Sequence, residues 1–279
     1  KTPTIAKTIA VIFVSLYKVI LLVTGKSVFW FAVSTSLDYL IFALILLHIY
    51  RKSNGQKLAF SRKRAVSLLL RSHHFILSGV AVSVYGYIDR LMIKQLLTNE
   101  DVGYYAAATN TSILWAFVLL AIIDSMRPTI MQLYEDNKSL FDKRMKQLYA
   151  LIIYLSIFVS ICTVFLSKPI ILLLYGGDYL NATRALRIFT WSIPFSYLGV
   201  ARNIWIVCEN KQHYLVRIYA IAALINIVLN YILIGYFGIE GAAITALITQ
   251  ICTCILIPAF YTDLKPNNSL IFKATILRF

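Results

Sequence analysis

The sequence predicts an all-α membrane protein, a polytopic helical bundle of about eight transmembrane helices. Three observations predict it. Hydrophobic residues make up 59% of the 279 positions and charged residues only 14%, against roughly 25% charged in a soluble domain. The mean hydropathy of +0.75 comes from apolar runs of about 20 residues, the length that crosses ~30 Å of hydrocarbon. The basic residues behind the formal charge of +15 lie in the gaps between those runs, where they set orientation, and form no single soluble stripe. These features exclude disorder, a disulfide scaffold, most cytosolic enzymes and a nucleic-acid partner.

Taken in order, the first two spans are 5–23 and 28–49. They are joined by Gly25-Lys26-Ser27, which reads as a tight turn: a phosphate-binding loop needs a Gly where Ile20 stands. The third span is 75–97, the fourth 104–130 and the fifth 148–166. Residues 172–175 are too short to cross alone and are placed with Gly176 and Gly177 in a connection. The sixth span, 185–207, contains Pro194, which should kink it and free backbone carbonyls. The seventh is 214–236 and the eighth 242–261. No segment calls for a strand.

The longest polar connection, with Asn54-Gly55 among many Lys and Arg, is the best boundary. It divides the chain into a pair of helices at 1–50, a basic linker at 51–72, a six-helix lobe at 73–262 and a tail at 263–279. When alternate connections are assigned to opposite sides, one side holds only Lys26, Lys94, Lys168 and Arg184 of the 27 Lys and Arg residues. Cations concentrate in the cytoplasm, so both ends of the chain, the linker and the tail are expected there. The chain opens at Lys1 without an initiator Met and reads as truncated at its start.

Ionisable groups inside hydrocarbon cost roughly 2.5 to 3.5 kcal/mol on insertion scales and usually face protein or a wet cavity. Asp38 lies near the middle of its span, Lys18, Asp89 and Arg90 in the outer half, Arg187 near the outer surface, and Asp124, Arg202 and Glu209 towards the inner one. For these last four, snorkelling to the interface competes with function. At about 100° per residue, Ser78, Gly79, Ser83, Tyr85, Gly86, Asp89 and Arg90 share half of the third helix, opposite Leu77, Val80, Val84, Ile88 and Leu91. In lipid this is an inside-out pattern. Two readings stay open: a cavity lining, or Asp89 and Arg90 pairing with neighbours to fix packing. Asn226 and Asn230, one turn apart in the seventh span, and Gln250 in the eighth either bridge helices or line the same cavity. Tyr104 and Tyr105 read as members of an interfacial belt.

Other signals carry little. Cys162, Cys208, Cys252 and Cys254 lack metal or redox spacing and read as packing residues. His73-His74 has no acidic or thiol partner at ligand spacing. Asn110-Thr111-Ser112 matches a glycosylation acceptor but falls inside a span. With no nucleophile motif and no large outer loop of carboxylates, an enzyme is disfavoured, and neither a cofactor nor a metal site is expected.

One ordered set of residues resembles a known family. It comprises Asp89-Arg90-Leu91-Met92-Ile93, Glu100-Asp101-Val102-Gly103-Tyr104-Tyr105-Ala106-Ala107-Ala108, Pro128, Tyr175-Gly176-Gly177-Asp178-Tyr179 with Ala182, and Asn226 to Asn230 with Gly238-Ile239-Glu240-Gly241-Ala242-Ala243. From about Arg71 to Tyr261 the chain is similar to the polysaccharide-transport branch of the multidrug/oligosaccharidyl-lipid/polysaccharide exporters, and more narrowly to Wzx-type O-antigen flippases. The resemblance implies a MATE-like architecture of twelve helices in two lobes, with 1–50 as the last two helices of a first lobe and four more expected before Lys1. It also implies transport of an undecaprenyl-diphosphate-linked oligosaccharide across the bacterial inner membrane. A polysaccharide polymerase and a chain-length regulator are the expected protein partners. On this expectation Lys18, Arg90 and Arg202 attract the diphosphate, and Asp38 and Asp89 bind a coupling ion, H+ or Na+. Tyr85, Asn226, Asn230 and Gln250 line the cavity. A multidrug antiporter of the same superfamily, or a membrane polymerase or ligase of the same glycan pathway, are the alternatives.

Overall fold

The computed structural model describes residues 2–52 and 60–275, and every regular element among them is helical. The chain divides into two compact units, Lys1–Val66 and Ser67–Phe279.

The first unit is a hairpin of α1 (Thr2–Val23) and α2 (Val28–Lys52). Its turn is the expected one. Gly25 takes a φ of +60°, and its neighbour Lys26 donates its backbone N–H to the Leu21 carbonyl at 3.1 Å. Ala6, Ala10, Val14 and Leu21 form the buried seam of α1, with small residues that let the partner backbone come close. Most other large side chains of this hairpin are exposed, as apolar residues facing lipid would be.

The helix α3 (Arg62–Leu96) runs across the boundary between the units. The second unit continues with α4 (Asn99–Ile113), α5 (Ala116–Asp136), α6 (Lys138–Tyr175), α7 (Ala182–Phe189), α8 (Ser192–Cys208), α9 (His213–Ile251), α10 (Ile257–Ala259) and α11 (Lys265–Thr275). Thr98 caps α4 in a reciprocal pair with Asp101: the Asp101 N–H donates to Thr98 Oγ1 at 3.2 Å and the Thr98 N–H donates to Asp101 Oδ2 at 3.1 Å. This closes orphan donors at a tight reversal between α3 and α4. Asn137 caps α6, accepting from the Leu140 N–H at 3.0 Å.

Several spans are built from broken helices. The fourth is α4 and α5, bent at Leu114 and Trp115, both of which keep right-handed helical dihedrals. The sixth is α7 and α8, bent at Thr190 and Trp191. The bend has the expected cause. Pro194 lacks the N–H that would bond the Thr190 carbonyl, and that carbonyl accepts instead from the Ile193 N–H at 3.2 Å and from Ser160 Oγ of α6 at 3.1 Å. The seventh and eighth spans form α9, which would be ~58 Å long if straight. It is not straight: Gly238 sits at φ 60°, ψ −137°, and the two arms fold back on each other. At Gly241 an added Cβ would lie 2.0 Å from the Leu233 carbonyl oxygen, so the arms meet backbone to backbone.

Two expectations are corrected. Residues 172–175 belong to α6, which continues past Pro169 to Tyr175 because Leu172, Leu173 and Leu174 sustain an apolar helix; only the short stretch around Gly176 and Gly177 is connection. The segment expected as a tail after 263 contains a packed helix, α11. Asn267, Ile271 and Ala274 of α11 are buried, and Tyr154 of α6 donates its hydroxyl to the Thr275 carbonyl at 3.0 Å. By length and composition, five stretches among the described residues are long and apolar enough to cross a membrane: within α1 and α2, and α5, α6 and His213–Ala259. The expected spans exceed this number because the last stretch is a hairpin of two arms, because α7 and α8 are each too short to qualify alone, and because α3 is not among the five.

Packing in the second unit is inside-out. Ser112, Ser156, Ser160, Ser167, Thr190 and Thr245 are buried while Phe117, Phe158, Phe165 and Leu173 are exposed. One apolar cluster gathers Phe141, Met145, Tyr149 and Trp205 at one end of the bundle. The other gathers Tyr105, Ala107, Ala108, Leu186, Ala242 and Ala243 near the Gly238 turn.

Candidate functional site

Two helical reversals build the site. The chain turns at Leu97 between α3 and α4, and at Gly238 within α9. Asp89 and Asn230 stand equally far from these turns, about 12 Å along each helix. The first reversal brings Tyr105 back beside Asp89, and the second brings Thr249 back beside Asn226. The four helical segments meet around the Asp89 carboxylate, which is 6% exposed.

The hydrogen bonds are specific. Tyr105 donates its hydroxyl to Asp89 Oδ2 at 2.8 Å, and Asn230 Nδ2 donates to Asp89 Oδ1 at 2.6 Å. The same Asn230 amide donates to Asn226 Oδ1 at 3.1 Å, and Asn226 Nδ2 lies 3.4 Å from Thr249 Oγ1. Asn226 and Asn230 share a helix face because they are one turn apart. Both donors to Asp89 are neutral. None of the ion pairs among the described residues includes Asp89. A buried carboxylate without an ion-pair partner is costly, which protonation or a bound cation would relieve. Asn230 Oδ1 and Thr245 Oγ1 are buried acceptors left without partners. Carboxylate, amide and hydroxyl oxygens together make a hard ligand set with one formal negative charge, suited to one small monovalent cation or a proton.

Arg90, the next residue on the helix, forms no ion pair with this carboxylate among the described residues. Its Nη2 donates to Thr109 Oγ1 at 3.2 Å and to Asn110 Oδ1 at 3.3 Å, leaving further N–H groups of a half-buried guanidinium. On the same helix Gly79, Ser83 and Gly86 are exposed. The side chain of Tyr85 lies outside the described residues, as do the side chains of Ser78 and His74.

Arg202 has a different setting from the one expected of a cavity cation. It is 3% exposed. Its Nε donates to Asn267 Oδ1 at 2.9 Å, and its Nη2 donates to the Cys254 carbonyl at 2.6 Å and to Asn268 Oδ1 at 3.2 Å. Pro258 has no N–H for the Cys254 carbonyl, in the wide turn Cys252–Leu256, so Arg202 satisfies an acceptor that the helix cannot. Asn267 is held in turn by donating to Tyr149 Oη at 2.6 Å. The guanidinium expected to face a diphosphate is bound to protein groups, and it ties α8 and α11 to the last span. Gln250 is half-buried and lines, with Arg202, Asn203 and Tyr219, a cavity of about 120 Å³.

In the first unit Asp38 is paired. Lys7 Nζ donates to its Oδ2 at 2.6 Å, and the ammonium also lies 5.2 Å from the Tyr39 ring centre. Asp38 Oδ1 is buried without a partner. Lys18 is exposed.

Sequence reading missed Tyr105, Thr249 and Lys7. Tyr105 belongs to no belt: it is 2% exposed and bound to Asp89. Its signal was the spacing about the Thr98 cap, which places Tyr105 opposite Asp89. For Thr249 the signal was the Thr245 and Thr249 pair, one turn apart on the arm facing Asn226 and Asn230.

The sequence pattern of the polysaccharide biosynthesis protein family matches residues 1–184. The chain belongs to that family. It is 23% identical over 179 residues to the capsular polysaccharide biosynthesis protein CapF of Staphylococcus aureus, covering 62% of this chain and 44% of CapF. It is 22% identical over 213 residues to a putative O-antigen transporter of Shigella dysenteriae, covering 75% of this chain and 52% of the transporter. The chain thus spans about half the length of these relatives. Among solved structures it resembles the lipid II flippase MurJ in an inward closed conformation, with a TM-score of 0.70 and 16% identity over 98% of this chain and 59% of MurJ. That likeness shows the fold: a polytopic helical membrane bundle.

Proposed function

We propose that this family member works as a flippase carrying an undecaprenyl-diphosphate-linked oligosaccharide, an O-antigen or related surface-polysaccharide repeat unit, across the bacterial inner membrane. Family membership and the O-antigen transporter relative support the substrate class. The observation that carries the mechanism is the Asp89 carboxylate, buried in a polar network with neutral donors only. A proton or Na+ bound there stabilises the packed arrangement of α3, α4 and the α9 hairpin, and its release favours a looser one; a ligand biases two states only by its differential affinity for them. Asp89, Asn226, Asn230 and Thr249 would hold the ion, which supplies charge compensation alone.

Arg90 and Lys18 attract the diphosphate in this reading, and the hydroxyl and amide groups of the polar interior serve the glycan. Arg202 acts as a packing clamp. The distribution of Lys and Arg supports a cytoplasmic location for both ends of the chain, and a polymerase and a chain-length regulator would act on the delivered product at the opposite face of the membrane. The relatives are named for transport and biosynthesis, and the role proposed here involves no covalent step.

The test is separate replacement, Asp89→Asn and Arg90→Ala, followed by measurement of surface glycan. Both variants should reach the membrane at wild-type levels and export less than about a tenth of the wild-type glycan. Full export from both well-expressed variants would reject the assignment, and drug sensitivity without a glycan defect would favour an antiporter.

A further inference from the structure

The Gly238 turn borders a groove that none of these roles uses. Two adjoining hollows of about 510 and about 460 Å³ share Arg184 and Glu240 in their walls. These side chains carry opposite charges, yet no ion pair among the described residues includes either one. Charges of opposite sign that face one groove without meeting leave room for a ligand carrying both.

The two hollows differ in the rest of their walls. The larger hollow adds Arg187, Ile188, Tyr236 and Phe237. Arg187 is held in place by its Nε, which donates to Ser167 Oγ at 2.6 Å, and this leaves its terminal N–H groups for a ligand. Tyr236 is 81% and Phe237 55% exposed, the setting of aromatic residues at a membrane interface. The smaller hollow adds Asn181 and Asp101; Asp101 is already engaged in the Thr98 cap, so Glu240 is the carboxylate available there. The walls thus combine two arginines, one available carboxylate and an apolar, aromatic side.

We propose that this groove binds the headgroup of a zwitterionic aminophospholipid of the phosphatidylethanolamine type. The phosphate diester lies on Arg184 and Arg187, the primary ammonium on Glu240 and Asn181, and the glycerol and upper acyl chain along Ile188, Tyr236 and Phe237. A phosphatidylglycerol headgroup has no cation for Glu240. Phosphatidylcholine has one, but it carries no N–H to donate. Charge-assisted hydrogen bonds are about twice as strong as neutral ones, so the ammonium end decides between these lipids.

The experiment is lipid binding to the purified full chain in neutral detergent, followed by native mass spectrometry and thermal unfolding with dioleoyl phosphatidylethanolamine, phosphatidylglycerol or phosphatidylcholine. The ethanolamine lipid should bind at least about tenfold more tightly than either of the others. Glu240→Gln should reduce it to the level of phosphatidylglycerol, and Arg184→Ala with Arg187→Ala should weaken all three. If the arginine variant does not fold, Glu240→Gln and Tyr236→Ala, both on the groove rim, still decide. Equal binding of the three lipids, tighter binding of phosphatidylglycerol, an unchanged preference in Glu240→Gln, or competitive displacement by a polyprenyl diphosphate would each overturn the assignment.

Discussion

Asn226 and Thr249 lie 23 positions apart in sequence, yet Asn226 Nδ2 sits 3.4 Å from Thr249 Oγ1. On a straight helix they would be about 34 Å apart. The reversal at Gly238 makes them neighbours, and the same reversal aims Asn230 at Asp89. The polar site therefore depends on one backbone position that only Gly adopts readily.

Gly238→Ala and Gly241→Ala should both destabilise the bundle. The first forces a side chain into a positive-φ conformation, at a cost of about 1–3 kcal/mol. The second places a Cβ on the Leu233 carbonyl, and no small shift relieves that contact, so it should cost more. Gly235→Ala is the control, because nothing lies within 4 Å of an added Cβ there. Thermal unfolding in detergent measures all three, and the control should stay within a few degrees of wild type.

Tyr105→Phe removes one of two neutral donors to Asp89 and should cost about 1–3 kcal/mol, the penalty for an acceptor left short in a buried site. Asp89→Asn should restore most of that loss, since a neutral amide needs less compensation. Unfolding of the two single variants and of the double variant forms a cycle whose coupling should exceed about 0.5 kcal/mol. Additive effects would mean the hydroxyl does not serve the carboxylate.

Much of this site was legible in the sequence. Asp89, Asn226 and Asn230 stood out because polar groups in apolar runs are costly, and Pro194 announced a freed carbonyl because its missing N–H is a local fact. What escaped was pairing at a distance. Tyr105 looked interfacial because its position near a span end was visible while the partner across the hairpin was not. Asp38 looked like a coupling-ion carboxylate because its partner, Lys7, reaches it across a helical turn-back. Arg202 looked like a cavity cation because neither the Cys254 carbonyl freed by Pro258 nor the docking of α11 has a signature within its own span.

Ser160→Ala should cost about 1 kcal/mol by removing the side-chain donor to the Thr190 carbonyl and leaving it only the Ile193 N–H. In a Pro194→Ala background the restored N–H can reach that carbonyl, so Ser160→Ala should then cost measurably less. Thermal midpoints of the four proteins give the answer, and equal costs in the two backgrounds would show that Ser160 compensates for nothing.

Arg202→Gln should destabilise the bundle strongly, by about 3–5 kcal/mol, because it removes the partner of several buried acceptors at once. Asn267→Ala, which loosens the same clamp without touching a charge, should lower the unfolding midpoint in the same direction. Export per folded molecule should stay near wild type in Asn267→Ala. A selective loss of export in a stable Arg202→Lys variant would instead place Arg202 in substrate binding.

The most direct test of the central claim is transport by proteoliposomes containing the purified protein and a fluorescent lipid-linked oligosaccharide, under an imposed Na+ or pH gradient. The wild-type protein should flip the lipid faster when one of the two gradients is applied, and Asn230→Leu should blunt that response. Asp89→Asn should fold, bind the lipid and lose the gradient dependence altogether. An Asp89→Asn protein whose transport still follows the same gradient as wild type would contradict the account.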